Sequence, residues 1–143
     1  YKGKRVDTQL QITPRSCPAN LTDTVHLAPI DPQQLILRHC GAPFPVIKMI
    51  PGEILTRQIM LPLPGYDIFM PNGTINKIAV FERHKATGKI GVGAVAGFEI
   101  HHGAIASSVS HDSHNIIVIG DNDEDIILAV KQLGRTHGGH TIV

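Results

Sequence analysis

No apolar run in this chain is longer than a few residues, and nearly every run is bounded by Gly, Pro or a cluster of Asn, Asp and Ser. Short β-branched runs with such boundaries read as strands, and they are far too short to span a membrane as helices. "PVIKMI" and "EILTRQIML" flank Pro51-Gly52, a turn dipeptide, and are expected to form two strands of a hairpin or bent ribbon. "PLPGYDIFMPNGT" follows as a loop, long enough to suggest mobility or a contact with something outside the domain. "INKIAVFERH" is the next strand, with Ile78, Val80 and Glu82 alternating, and "KATGK" turns the chain. In "IGVGAVAGFEI", Gly91, Gly93 and Gly97 lack the following helix start that would make them a phosphate cradle, so close backbone packing is the expectation.

Two helices punctuate the strands. Asp31-Pro32 opens "DPQQLILRHCG" as an acidic N-cap with Pro at the first helical position, and Gly41 stops it. "DNDEDIILAVKQLG" is the clearer one. Asp121 and Glu124 form a capping-box pattern, acidic residues fill the first turn, Ile126, Ala129, Val130 and Leu133 make one apolar face, and Gly134 closes it. Residues 1–30 are Pro-interrupted and aperiodic, and are expected to be an irregular linker or wrapping segment preceding a domain over residues 31–143. The fold class expected is α/β: a mixed β-sheet with flanking helices.

At 143 residues the chain fits a single domain. With 17% charged residues, a formal net charge of +1, 4% aromatics and no Trp, it carries neither the basic field of a nucleic-acid binder nor the stacking platform of a single-strand binder. No nucleic acid or membrane partner is expected, and the expected location is cytoplasmic. Cys17 and Cys40 match neither a disulfide framework nor a zinc-knuckle spacing and read as free thiols. The start at Tyr1 and the terminal "HTIV" raise the expectation of a piece cut from a longer protein.

Six of the nine histidines, at 101, 102, 111, 114, 137 and 140, lie in the last 43 positions. Between two apolar runs sits the knot His111, Asp112, Ser113, His114, Asn115. An imidazole beside a carboxylate suits proton transfer, with His111 and Asp112 as the pair and Ser108, Ser110 and Ser113 as hydrogen-bonding neighbours. A metal site is less well specified, because a spacing of three between His111 and His114 outside a helix does not enforce joint ligation. The third reading is a tight turn tied by Asp, Ser and Asn side chains, and spacing alone favours it. His137 and His140 read as a loop before the last strand.

"GAIASSVSHDSHNIIVIGDNDEDIILAV", with "IPGEILTRQI" and "KIAVFERHKATGKIGVGAVAGF" upstream, resembles the carboxy-terminal domain of bacterial and archaeal adenine deaminases, in the amidohydrolase superfamily. The resemblance covers most of residues 35–143, and relative to the family the domain looks truncated at its end. "GFEIHHG" departs from it, with Glu99, His101 and His102 where a Gly-Leu-Lys-like run is expected, so the role of His101 and His102 is open. The resemblance implies an accessory domain of a larger barrel enzyme that hydrolyses adenine to hypoxanthine and ammonia. It implies Mn2+ or Fe2+ bound by a barrel domain outside this chain, with no metal ligand carried over here. The partners implied are that barrel domain, adenine and further copies in a homo-oligomer, and this segment alone is expected to be inactive. His111, Asp112 and His114 become candidate catalytic residues, and Ser113 and Asn115 candidate substrate-binding residues. The alternatives are a structural or oligomerisation module and a non-catalytic purine-binding domain.

Overall fold

The computed structural model describes residues 16–143. Strands β1 (Phe44–Met49) and β2 (Thr56–Leu61) form the anticipated antiparallel hairpin, Met49 facing Thr56, with Gly52 at φ +78° in its turn. β3 (Ile75–Phe81), β4 (Ile90–Ala96), β5 (Ala104–Ser107) and β6 (Ile116–Gly120) follow, then helix α1 (Asp123–Arg135) and strand β7 (His140–Ile142). They build one seven-stranded sheet in the order β2-β1-β4-β3-β6-β5-β7. Only the β1–β4 pair is parallel, so the sheet is mixed and the class α/β.

The flanking helices anticipated from the sequence reduce to one α-helix among the described residues. "DPQQLILRHCG" makes a single 3-10 turn, Pro32–Leu35, which Asp31 caps by accepting from Gln33 N at 3.0 Å. Beyond it the backbone is drawn out to pair with the 62–74 loop. Leu37 O accepts from Phe69 N at 2.8 Å, His39 N donates to Asp67 O at 3.0 Å, and Arg38 bridges Ile68. A helix continuing to Cys40 would withdraw those groups from their partners. The same loop, expected to be mobile or to contact something outside, instead covers the sheet, burying Leu63 and Phe69 against Val46, Ile75, Ala94 and Ala96.

α1 begins one residue later than the capping-box reading. Asn122 is the cap: its Oδ1 accepts from Asp125 N at 2.8 Å and its Nδ2 donates to Asp125 Oδ2 at 2.7 Å. Asp121 is engaged elsewhere, as described below. The helix also continues through Gly134 to Arg135. A Cβ at Gly134 would lie 3.2 Å from Leu27 Cδ1, so this glycine admits the 22–30 segment, whose Val25 is buried and whose Leu27 and Ile30 pack on the core.

The α1 residues Ile126, Ala129, Val130 and Leu133 are fully buried against the sheet face carrying Ala79, Phe81, Ala104, Ala106, Ile116 and Val118. Three of those six are alanines, which lets the helix axis approach. Gly120 completes the shallow surface: a Cβ there would stand 2.8 Å from Ile126 Cγ1 and 2.9 Å from Ala104 Cβ. Of Gly91, Gly93 and Gly97, close packing holds only at Gly97, just beyond β4 at φ +107°, where a Cβ would meet Met49 Cβ at 3.0 Å. Gly91 faces open space.

If α1 is seated this closely, Gly120→Ala lowers unfolding stability by about 1–3 kcal/mol. Urea denaturation followed by circular dichroism measures it, and an unchanged midpoint would contradict the seating.

Candidate functional site

Residues 108–115 connect β5 to β6, so the polar knot is a hairpin connection at one end of the sheet. Its backbone is tied at many points. Ser108 N donates to Gly139 O at 3.0 Å, and Ser108 Oγ accepts from Gly139 N at 2.8 Å. Ser107 Oγ accepts from Val109 N at 3.0 Å, His114 N donates to Ser110 O at 2.7 Å, and Ser113 Oγ accepts from Asn115 N at 3.3 Å. Asp112 and His114 occupy the left-handed region at φ 72° and 51°, a conformation uncommon outside glycine that Asp and His adopt more readily than most residues.

The turn is further held by the β3–β4 loop. Arg83 Nε donates to His114 O, while Arg83 Nη1 donates to Thr24 O at 2.8 Å and to Thr24 Oγ1 at 3.2 Å. His84 Nε2 lies 2.9 Å from Ser113 O. A carbonyl only accepts, so in this bond Nε2 carries the proton. The loop is itself shaped by Glu82, whose Oε1 accepts from His84 N at 2.6 Å and Lys85 N at 2.8 Å. Its Oε2 accepts from Thr87 N and from Thr87 Oγ1, both at 2.9 Å. The Thr87 amide is the largest cause lowering the Glu82 carboxyl from 4.5 to about 2, the other hydrogen bonds adding to it against the opposing effect of desolvation.

Against this fixed backbone, the side chains at the tip are free. His111 and Asp112 are 94% and 90% exposed, with His111 Nδ1 2.6 Å from Asp112 Oδ1. The His114 ring centroid is 6.4 Å from that of His111. All three candidate catalytic side chains therefore share one loop surface. Asp112 can orient the His111 ring through Nδ1, leaving Nε2 to give or take a proton, but among the described residues the ring stands in solvent, 94% exposed, and not inside a reaction site. Of the two candidate substrate-binding residues, Ser113 is spent on the turn, whereas Asn115 Oδ1 is buried without a hydrogen-bond partner. Among the described residues, no group of three or more His, Cys, Asp or Glu could hold a metal ion.

His137 and His140 flank the base of the turn, where Ser107 pairs with His140 and Ser108 bonds Gly139. His137 Nδ1 is 3.4 Å from Asp23 Oδ1, both exposed, and His140 is in β7. His101 and His102 belong to the opposite end of the sheet, where Asp121 Oδ2 accepts from His102 N at 2.5 Å and Oδ1 from Gly103 N at 3.0 Å. Burial disfavours the charge on Asp121, yet those two amides and the Asn122 side chain outweigh it and hold the carboxyl below its ordinary value. The His101 ring fills the space beside Gly73, where a Cβ would be 1.9 Å from its Cε1. At this end the sequence reading missed an ion pair. Lys77, only 3% exposed, places Nζ 2.5 Å from Asp123 Oδ1, beside a cavity of about 160 Å³ that Phe69, Met70 and Asp121 also line. Arg83 and His84 were missed as well, because their bonds run to backbone carbonyls that no residue spacing announces.

The profile of the family described as the adenine deaminase C-terminal domain matches residues 53–143. An adenine deaminase from Desulfitobacterium hafniense strain Y51 is 44% identical over 144 residues, covering 100% of this chain and 25% of that protein. One from Dehalococcoides mccartyi strain CBDB1 is 41% identical over 145 residues, covering 97% of this chain and 25% of that protein. Adenine deaminase 2 of Carboxydothermus hydrogenoformans is 44% identical over 124 residues, covering 85% of this chain and 22% of that protein. The chain thus spans about a quarter of the length of the curated relatives it matches.

Two outcomes follow from the loop geometry. A depressed carboxyl stabilises above its unfolded value and is lost as pH falls through its folded value, so the 83–88 loop keeps its structure below pH 4.5 and releases it only near pH 2. A carbon-13 titration of the Glu82 carboxyl checks this, and a midpoint near 4.5 would refute it. Arg83→Ala removes charge-assisted bonds worth roughly 1.5–3 kcal/mol each and raises amide exchange at His114 by about tenfold or more. Unaltered exchange there would mean the turn holds itself.

Proposed function

The chain belongs to the adenine deaminase C-terminal domain family, and we propose that it is the carboxy-terminal part of a hydrolase converting adenine to hypoxanthine and ammonia. The observation that carries this is the match, over the whole length of the chain, to proteins named adenine deaminase. In this reading the rest of the enzyme is a barrel domain holding Mn2+ or Fe2+. The described residues of this chain do not fit that ion, since they provide no set of three ligands, and no metal-dependent step is assigned to them.

What this chain contributes is the 108–115 turn. It is fixed through its backbone by Arg83, His84 and Ser108, and it projects His111 and Asp112 outward. That division suits a loop reaching into a site formed by another part of the enzyme. There His111, oriented by Asp112, exchanges a proton with the adenine ring or the departing amine, and His114 offers a hydrogen bond to the purine, while Asn115 can join it only by turning its buried amide oxygen outward. Ser113 acts by keeping the turn in shape. Alone, the segment is inactive, because among the described residues His111 stands in solvent with no reaction centre around it. The partners in this reading are the barrel of the same chain, adenine and further copies in a homo-oligomer, in a cytoplasmic enzyme. It invokes neither nucleic acid nor membrane, and no helix among the described residues is long and apolar enough to cross one. The match to proteins named adenine deaminase favours the hydrolase reading over the structural-module and purine-sensor alternatives.

In the complete enzyme His111→Ala lowers kcat/KM for adenine by about 100-fold, and Asp112→Asn lowers it by about tenfold. Neither change shifts the melting temperature appreciably, since both side chains are solvent-exposed in the domain. Steady-state kinetics on both variants, showing parameters equal to the parent enzyme, would remove the turn from the reaction.

A further inference from the structure

α1 covers one face of the sheet, and the other face carries a continuous apolar row. Gly93 on β4 faces Ile78 on β3, Ile78 faces Ile119 on β6, Ile119 faces Ile105 on β5, and Ile105 faces Ile142 on β7. Side chains alternate along strands, so this row points away from the Ala79, Val118 and Ala106 row beneath α1. It crosses five strands, about 19 Å at the usual interstrand spacing. Its members contain no ionisable group. Loop 97–103 shields only a part, pinned by the buried Asn76, which bonds Ile100 N and O at 3.2 and 2.9 Å. Within the row Ile119 is buried, at 7% exposure, whereas Ile105 and Ile142 are 39% and 78% exposed, and Phe98 of the loop is 38% exposed. Between Ile47 on β1 and Ile78 and Val80 on β3, the absent side chains of Gly91 and Gly93 leave a trough of about 260 Å³.

A mixed sheet with helices on one side only leaves such a face in contact with water, and exposed apolar patches of this extent mark interaction surfaces. We propose that this face is the seat on which the remaining part of the same deaminase chain docks, apolar side chains of that part entering the Gly91–Gly93 trough. Three quarters of each matched relative lies outside the segment aligned here, ample chain to supply the missing layer. Tethering makes that docking intramolecular, at an effective concentration of order mM, whereas a second copy must first overcome the loss of free translation and rotation. The uncharged row matches an apolar partner. It offers no charge pattern to align a second copy. The inference rests on the deaminase reading only in taking this chain as a quarter of a longer one.

The test is photo-crosslinking in a complete adenine deaminase chain carrying this domain. p-Benzoylphenylalanine replaces Ile78 in one variant, Ile105 in a second and, as control, Leu128, which is 43% exposed on α1. The proposal expects adducts within one chain from positions 78 and 105 to peptides outside this domain, at least tenfold above those from position 128. Adducts between two chains, adducts confined to this domain, or yields no higher than the control would each overturn it. Positions 78 and 105 serve as independent probes should one replacement disturb folding. Adenine turnover is measured on the same preparations. Adducts without turnover sink the deaminase reading and leave the docking face standing, and turnover without adducts does the reverse.

Discussion

The close seating of α1 over Gly120 sets the position of nearly everything else in this domain. Gly120, Asp121 and Asn122 follow one another, and each performs a different task within a few ångströms. The glycine admits Ile126, the aspartate gathers the amides of His102 and Gly103, and the asparagine caps the helix. Because the small residues Ala79, Ala104 and Ala106 are arrayed under the single helix, the larger Ile78, Ile105 and Ile119 fall on the opposite face by strand alternation. The same pattern that packs one side thus leaves the other apolar and, among the described residues, only partly covered.

At the far end of β5 and β6 the organisation is reversed: there the backbone is buried in hydrogen bonds and the side chains are left outside. Left-handed backbone at Asp112 and His114 costs on the order of 1 kcal/mol each, and persists because Arg83 and His84 hold the carbonyls of His114 and Ser113. Those two side chains are in turn placed by Glu82, which gathers three amides of its own loop. A strained turn held so firmly, yet with its most polar side chains unused within the domain, makes sense when those side chains serve something beyond it.

How far the sequence revealed this depended on the range of the interactions. The β1–β2 hairpin and the strands flanking the polar knot were legible because β-branched runs and turn residues act locally. The sequence placed the cap of α1 at Asp121, which the 101–103 loop claims for itself. Helix signals around Asp31 were genuine at the cap but lost beyond Leu35, where pairing with the 62–74 loop competes for the backbone. Lys77 in a strand reads as a solvent-facing residue, and only the fold brings Asp123 to it. The members of the candidate site were visible as a cluster, whereas the residues that hold the cluster were not, since Arg83 and His84 lie about 30 positions away and bind carbonyls.

In the proposed function the domain supplies a firmly held turn whose side chains act outside it. The most direct measurement is a loop exchange in the complete enzyme, replacing residues 109–115 with Asn-Gly, a pair suited to closing a β-hairpin in which Ser108 stays opposite Ile116, as the Ser107–Ile117 pairing requires. Adenine turnover and thermal unfolding are then compared with the parent. The account predicts a folded enzyme, with its melting temperature within a few degrees of the parent, that no longer forms hypoxanthine at a comparable rate. A folded enzyme with undiminished turnover would contradict it.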